Sequence, residues 1–306
     1  MTTARHDGTS GQGADIVHLS GAWLPRGEAL VPVDDRGFVF GDGVYDMTPA
    51  YGGRFLRLQR HLDRLRFGLE ELEIDFDLSG VEELHHEILR RNGLTDAPMA
   101  TVYLQVTRGV APRAHHFPPR STAATVYAFA KRFARTSADV WARGFEAVTH
   151  PDRRWGRVDI KTLQLLPNVL AQQAARAAGA GDALMVRDGI VLEGALSNLF
   201  IVFGRTIRTH PTSNQILPGI TRELILEISR EEGYEVEERS TPIEHLSHAS
   251  EVFMTGTTTE VKPIVRIDGQ PVADGRVGPV TTDLHRAFME RVRRECGVPA
   301  TALGSI

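Results

Sequence analysis

The hydrophobic pattern changes period several times along the chain. Leu58, Leu62, Leu65, Leu69 and Leu72 recur every three or four residues, a spacing that predicts an amphipathic helix over 59–74. A second helix is expected over 81–91, stopped by Asn92-Gly93. Ahead of both, runs at 44–51 and 54–58 flank Gly52-Gly53, which predicts a β-hairpin with a tight turn. Strands are expected at 99–107 and 123–130, around a loop at 108–122 rich in arginine, histidine and proline. Residues 131–141 lose periodicity and read as a connector. Beyond it the pattern predicts a strand near 144–150 and a helix at 167–178. Hairpins follow over 183–193 and 198–208, turning at Asp188-Gly189 and Gly204-Arg205. A helix at 219–232, strands at 251–255 and 262–273 and a helix at 280–296 complete the pattern.

Strands and helices mix without a βαβ rhythm. The expected class is therefore α+β, with mixed or antiparallel sheets and flanking helices. A chain of 306 residues exceeds what one core usually serves. The expected division is a disordered tail over 1–15, a small α+β domain over 16–132, a linker over 133–141 and a larger domain over 142–306.

Composition narrows the function classes. Hydrophobic residues make up 42% and charged residues 24%, as in globular proteins, and a net charge of -4 with interspersed signs speaks against a nucleic-acid surface. No run approaches the ~18 apolar residues of a membrane span, and the polar N-terminus does not resemble a signal peptide. The single cysteine, Cys296, reads as a small buried apolar residue and fits a reducing, cytoplasmic setting. Histidines pair at His85-His86 and His115-His116 but not at metal-ligand spacing, so no metal is expected.

Four segments carry candidate chemistry. Lys161 sits in the largely apolar Val158-Asp159-Ile160-Lys161-Thr162-Leu163, where desolvation favours a neutral, nucleophilic amine. Glu193 ends the apolar run Ile190-Val191-Leu192. Leu217-Pro218-Gly219-Ile220-Thr221-Arg222 opens a helix whose first N–H groups, at Ile220 and Thr221, are free to meet an anion. Met254-Thr255-Gly256-Thr257-Thr258 places hydroxyls and a glycine after a strand. Taken singly, these read equally as a lysine at a strand edge, a strand-end acid, a plain helix start and a polar turn.

Taken in order, with Asp35-Arg36-Gly37-Phe38-Val39-Phe40-Gly41-Asp42-Gly43-Val44-Tyr45, His61-Leu62-Asp63-Arg64-Leu65 and Ser197-Asn198-Leu199-Phe200, they resemble the fold-type IV pyridoxal-phosphate (PLP) enzymes over roughly 16–295. That family includes branched-chain and D-amino acid aminotransferases and aminodeoxychorismate lyases. The resemblance implies a two-domain homodimer with PLP between the domains. It implies that Lys161 holds PLP as a Schiff base, that Glu193 faces the pyridine nitrogen, and that Arg64, Ile220, Thr221 and Thr257 hold the phosphate. The segment Arg113-Ala114-His115 is similar to the carboxylate trap of D-amino acid aminotransferases, where an Arg-x-His pair from the neighbouring subunit joins a tyrosine, here Tyr45. The expected activity is ping-pong transfer of an amino group from a D-amino acid to a 2-oxo acid such as 2-oxoglutarate or pyruvate.

Two departures bear on the subfamily. Leu166 stands where branched-chain enzymes generally carry a tyrosine, and Ala195-Leu196 stand where D-specific enzymes often carry serines. The alternatives are a branched-chain L-aminotransferase, an (R)-selective amine transaminase, an aminodeoxychorismate lyase or a non-catalytic PLP binder.

Overall fold

A computed structural model describes residues 15–299. The expected tail over 1–15 therefore lies outside the described residues, except for Asp15, whose carbonyl accepts from the Arg26 amide at 2.8 Å. The first half builds a six-stranded sheet from β1 (Ile16–Leu19), β2 (Ala22–Pro25), β3 (Gly43–Tyr51), β4 (Arg54–Phe55), β5 (Ala100–Thr107) and β6 (Thr125–Arg132), ordered β2-β1-β6-β5-β3-β4. All its pairings are antiparallel. The glycine pair turns the predicted hairpin, with φ of 55° and 75° at Gly52 and Gly53. The short helix α1 (Arg36–Phe40) precedes β3, while α2 (Leu58–Glu71) and α3 (Val81–Arg91) bury Leu62, Leu65, Leu69, Ile88 and Leu89 against the sheet.

The second half begins with α4 (Ala138–Arg143), β7 (Phe145–Pro151) and α5 (Leu166–Ala177). Then come β8 (Asp182–Arg187), β9 (Ile190–Gly194), β10 (Asn198–Phe203), β11 (Thr206–Thr209) and α6 (Ile220–Glu231). The last elements are β12 (Glu235–Glu238), β13 (Thr241–Pro242), β14 (Glu251–Gly256), β15 (Glu260–Ile267), β16 (Gln270–Pro271) and α7 (Pro279–Cys296). The strands form a mixed ten-stranded sheet, β12-β11-β10-β14-β15-β7-β8-β9-β13, with β16 paired to β15. One face packs on α6 and α7 through Phe200, Phe253, Leu224, Ile228, Leu284 and Phe288. Cys296 is buried on that side, as expected.

Two details correct the pattern-based expectation. The aperiodic connector contains α4, because Trp141 is buried there, donates its indole N–H to the Val261 carbonyl at 2.7 Å and stacks on His285. The expected strand 262–273 is a hairpin: Asp268 and Gly269, at φ 50° and 75°, turn the chain back after Ile267.

The halves meet along β3. The segment at 161–163 lies beside it as an antiparallel bridge between Val44 and Thr162. The Tyr45 amide donates to the Lys161 carbonyl at 3.0 Å and the Leu163 amide to the Gly43 carbonyl at 3.1 Å. Among the described residues no helix is long and apolar enough to cross a membrane.

Candidate active site

A cavity of about 230 Å³ opens between the two sheets. β3 supplies one wall, and its two-residue alternation sorts the side chains there. Tyr45 and Met47 line the cavity, while Asp46 is buried to 3% exposure and meets α2. On α2, His61 and Arg64 lie one helical turn apart and both reach Asp46. The Arg64 Nε and Nη2 donate to its two carboxylate oxygens at 2.9 and 3.0 Å, and His61 Nδ1 lies 2.6 Å from Oδ1. Burial pushes the Asp46 carboxyl up, but Arg64 and His61 outweigh it and hold it well below the usual carboxylate range. Asp46 therefore accepts, and the His61 proton sits on Nδ1; burial also lowers the His61 pKa.

From that anchor Arg64 crosses to the other half, where Nη1 donates to the Pro218 carbonyl at 3.1 Å, just before α6. Gly219 caps α6 without a side-chain bond, leaving the N–H groups of its first turn directed outward. A Cβ at Gly219 would stand 2.0 Å from Asn198 Oδ1, so any larger residue there would have to displace the Asn198 side chain. Arg64, Ile220, Thr221 and Thr257 all line the cavity here, and the Thr257 hydroxyl donates to the Met47 carbonyl at 3.3 Å. Nearby Thr255 is fully buried and its hydroxyl has no partner among the described residues. A guanidinium, a helix N-terminus and hydroxyls on one spot make a receptor for a phosphate dianion.

Lys161 lines the same cavity, half-buried. Its Nζ lies 4.4 Å from the centre of the Tyr45 ring, and among the described residues it has no ion pair. Glu193, at the end of β9, is 3% exposed. It pairs with Arg154 Nη1, accepts from Asn198 Nδ2 at 2.8 Å and from the Leu217 amide at 3.2 Å. Burial pushes its carboxyl up to about 7, against the pull of Arg154 and the Leu217 amide. Arg154 is itself fixed by Asp152, at 2.9 Å from both Nε and Nη2.

The structure thus brings Lys161, Glu193, Arg64, Ile220, Thr221, Thr257 and Tyr45 to one cavity. Arg113 and His115 are exposed outside the cavity of their own chain. They flank the Phe40 ring, the Arg113 guanidinium 5.2 Å and the His115 ring 5.7 Å from its centre. Their loop is tied by Arg36 Nη1, which donates to the Ala114 carbonyl at 2.7 Å. Among the described residues no group of three or more His, Cys, Asp or Glu is arranged to hold a metal.

Sequence reasoning missed Asp46, Arg154 and the role of Asn198 in holding Glu193. An acid inside an apolar strand, Asp46 between Tyr45 and Met47, is a readable signal of a buried partner. For Arg154, in the loop Asp152-Arg153-Arg154, no local pattern separates the buried arginine from the exposed one.

The comparisons with known proteins agree with this geometry. Residues 43–267 match the family model for amino-transferase class IV. The D-alanine aminotransferase of Staphylococcus haemolyticus is 41% identical over 275 residues, covering 89% of this chain and 96% of the relative. Among solved structures, Escherichia coli branched-chain amino acid aminotransferase superposes with a TM-score of 0.84 at 26% identity, covering 92% of this chain and 96% of that one. The branched-chain aminotransferase of the archaeon Thermoproteus uzoniensis, solved with norvaline, gives 0.81 at 27% identity, covering 95% and 98%.

The cavity fits PLP on its own terms. It offers a lysine amine with no ion pair among the described residues, a buried carboxylate already fixed by three donors, an anion cup, and a buried hydroxyl with no partner among the described residues. With a family match across most of the chain and a 41% identical relative across nearly all of it, this chain belongs to the class IV aminotransferases, enzymes that work with PLP.

Proposed function

We propose that this enzyme transfers the amino group of a D-amino acid to a 2-oxo acid in two half-reactions at one cavity. The observation that carries the reading is Lys161, an amine without a carboxylate partner among the described residues, set over Tyr45 in a cavity that also holds the Glu193–Arg154 pair. The near full-length D-alanine aminotransferase relatives support the stereochemical part.

PLP, when bound, supplies an electron-poor ring that stabilises negative charge at the substrate Cα. Lys161 Nζ is its covalent anchor and the base that takes the Cα proton and returns one in the second half-reaction. Glu193, held by Arg154, Asn198 and the Leu217 amide, presents its carboxylate to the pyridine nitrogen. Arg64, the amides of Ile220 and Thr221, and the Thr257 hydroxyl, turned away from the Met47 carbonyl, hold the phosphate. Tyr45 binds the substrate α-carboxylate together with Arg113 and His115 of a second copy of the chain. In support, both residues are exposed in their own chain, and α5 leaves Leu166, Val169 and Leu170 at 68, 58 and 57% exposure, an apolar face suited to a homodimer. With the carboxylate fixed on one side, only one enantiomer turns its α-hydrogen toward Lys161. The setting proposed is cytoplasmic.

A branched-chain L-aminotransferase is the second reading, favoured by the solved structures this fold superposes on. Leu166 counts against it: it starts α5 largely exposed and is absent from the cavity lining. The test is a half-reaction of purified holoenzyme with D-alanine, D-glutamate, L-leucine and (R)-1-phenylethylamine, followed by loss of the cofactor's absorption band. Fast bleaching by D-alanine, slow bleaching by L-leucine and at least a ~100-fold loss with D-alanine in Arg113→Ala are expected from losing a charge-assisted carboxylate contact. Bleaching by L-leucine with D-alanine inert overturns the assignment.

A further inference from the structure

The strand that places Tyr45 and Met47 in the cavity ends in Tyr51, which by the two-residue alternation shares their face. Tyr51 reaches into the other half. It is fully buried and packs in the core that contains Val261, Phe288 and Val292. Its hydroxyl donates to Glu260 Oε1 at 2.9 Å. Arg135, in the connector, grips the same carboxylate side-on, Nε donating to Oε1 and Nη2 to Oε2, both at 2.9 Å. Glu260 is 6% exposed. A tyrosine of the first half, an arginine of the connector and a glutamate of the second half thus share one buried contact.

Glu260 also closes the turn beyond β14. It pairs with Gly256 across that turn, and Thr257, Thr258 and Thr259 form it. Thr257 and Thr258 line the cavity. Glu260 holds φ at 53°, a left-handed conformation that a residue with a side chain keeps only where its surroundings fix it. The fixing contacts here are Tyr51 and Arg135. The turn therefore rests on β3 at two points. The Thr257 hydroxyl oxygen lies 3.3 Å from the Met47 carbonyl oxygen, and Glu260 meets Tyr51 at the end of the same strand. The first point is at the cavity; Tyr51, Arg135 and Glu260 are absent from its lining.

We infer that Glu260, clasped by Tyr51 and Arg135, is a positioning residue for the cofactor phosphate: it sets the backbone of the 256–260 turn so that Thr257 faces the anion at the start of α6. This rests on the phosphate assignment made under the proposed function and adds to it the group that aims its threonine side. Loosening the clasp lets the turn relax toward ordinary φ and carries Thr257 away from the phosphate. Lys161, Glu193 and Tyr45 stand on other segments and stay in place. The cofactor ring keeps its partners and the phosphate loses one.

Pyridoxal, which has the ring and aldehyde of PLP but no phosphate, separates this role from a general one in docking the halves. Both molecules attach at Lys161, so a clasp that only docks the halves weakens both alike. Wild type, Tyr51→Phe, Glu260→Gln and Thr257→Val are purified as holoenzyme, freed of cofactor and titrated with PLP and with pyridoxal. Kd is read from the absorption band of the lysine-bound ring. Tyr51→Phe deletes one hydroxyl and keeps the buried ring. It is expected to weaken PLP about tenfold, the worth of one hydrogen bond to a charged group, and pyridoxal less than about twofold. Glu260→Gln keeps the side-chain length but loses the charge that holds Arg135. It is expected to show the same selective loss, and it carries the test alone if the Tyr51→Phe protein does not fold. Equal weakening of the two ligands, or unchanged binding of PLP, in either folded variant overturns the inference. Thr257→Val is the reference for the phosphate assignment and is expected to lose PLP selectively as well. An unchanged ratio there removes the assignment of Thr257 and the inference with it. Selective loss in Thr257→Val alone keeps the assignment and overturns only the inference.

Discussion

Asp46 lies behind the proposed phosphate cup rather than in it, yet the cup depends on it. It accepts from three donors, Arg64 Nε and Nη2 and His61 Nδ1, at 2.9, 3.0 and 2.6 Å. Asp46→Asn keeps the shape but removes the charge, and its amide N–H₂ faces donors where an acceptor was. The Arg64 side chain is only 7% exposed, so water cannot take over. Removing one partner of a buried pair costs about 3–5 kcal/mol, because the remaining charge is left uncompensated. The apo variant should lose that much stability. PLP should then stabilise the variant more than it stabilises wild type, because its phosphate supplies the anion that Arg64 lacks. Urea denaturation of both proteins, with and without PLP at one protein concentration, measures both quantities. A loss below about 1 kcal/mol in the apo variant, the range of solvent-exposed pairs, would show that Arg64 is hydrated and refute the reasoning.

Two further outcomes follow from buried groups. In Arg154→Met the Glu193 carboxyl, already pushed up to about 7, loses its main opposing charge and rises further, so the acid limb of the kcat–pH profile should move to higher pH by about one unit or more; an unmoved limb sinks the assignment of Arg154 as the group that keeps Glu193 ionised. His285 is held down to about 4 by burial, with Arg135 adding to it, whereas in the unfolded chain it titrates near 6.5. The unfolded state therefore takes up the proton first as pH falls: this contribution to stability is full above about 6.5 and is lost on the way down through about 4. Because His285 is only 4% exposed and stacks on Trp141, His285→Phe should keep the packing and remove about 2.5 kcal/mol of that acid loss, read from denaturant midpoints at pH ~7.5 and ~4.5; equal slopes in both proteins would count against it.

Much of the fold was legible because its elements obey local rules. α3 occupies the predicted 81–91, and the hairpin turns fall at Gly52-Gly53, Asp188-Gly189 and Gly204, each with positive φ where glycine or aspartate tolerates it. What escaped the pattern is what tertiary contact creates. α4 exists for Trp141, and strands as short as β12 and β13 exist because a neighbour is there to pair with. The site shows the same division. Lys161, Glu193 and the Gly219 helix start carry local signals, and the ordered motifs link them to one family. The partners that set their charge, Asp46 with Arg64 and Arg154 with Glu193, lie 18 and 39 residues away, and no local window contains both members.

The bridge between Val44 and Thr162 has a consequence for assembly. Lys161 belongs by sequence to the second half but is hydrogen-bonded to the first, and Arg64 belongs to the first but donates to the second at Pro218. Each half holds the other's instrument. A molecule gripped by both residues closes a circuit through the whole chain, so its binding free energy strengthens the docking of the two sheets rather than either sheet alone. On the proposed roles of Lys161 and Arg64, the cofactor is in this sense a removable staple. The chain acquires its grip only after segments roughly a hundred residues apart have met, which makes cofactor capture a late event in folding and a reporter of its completion.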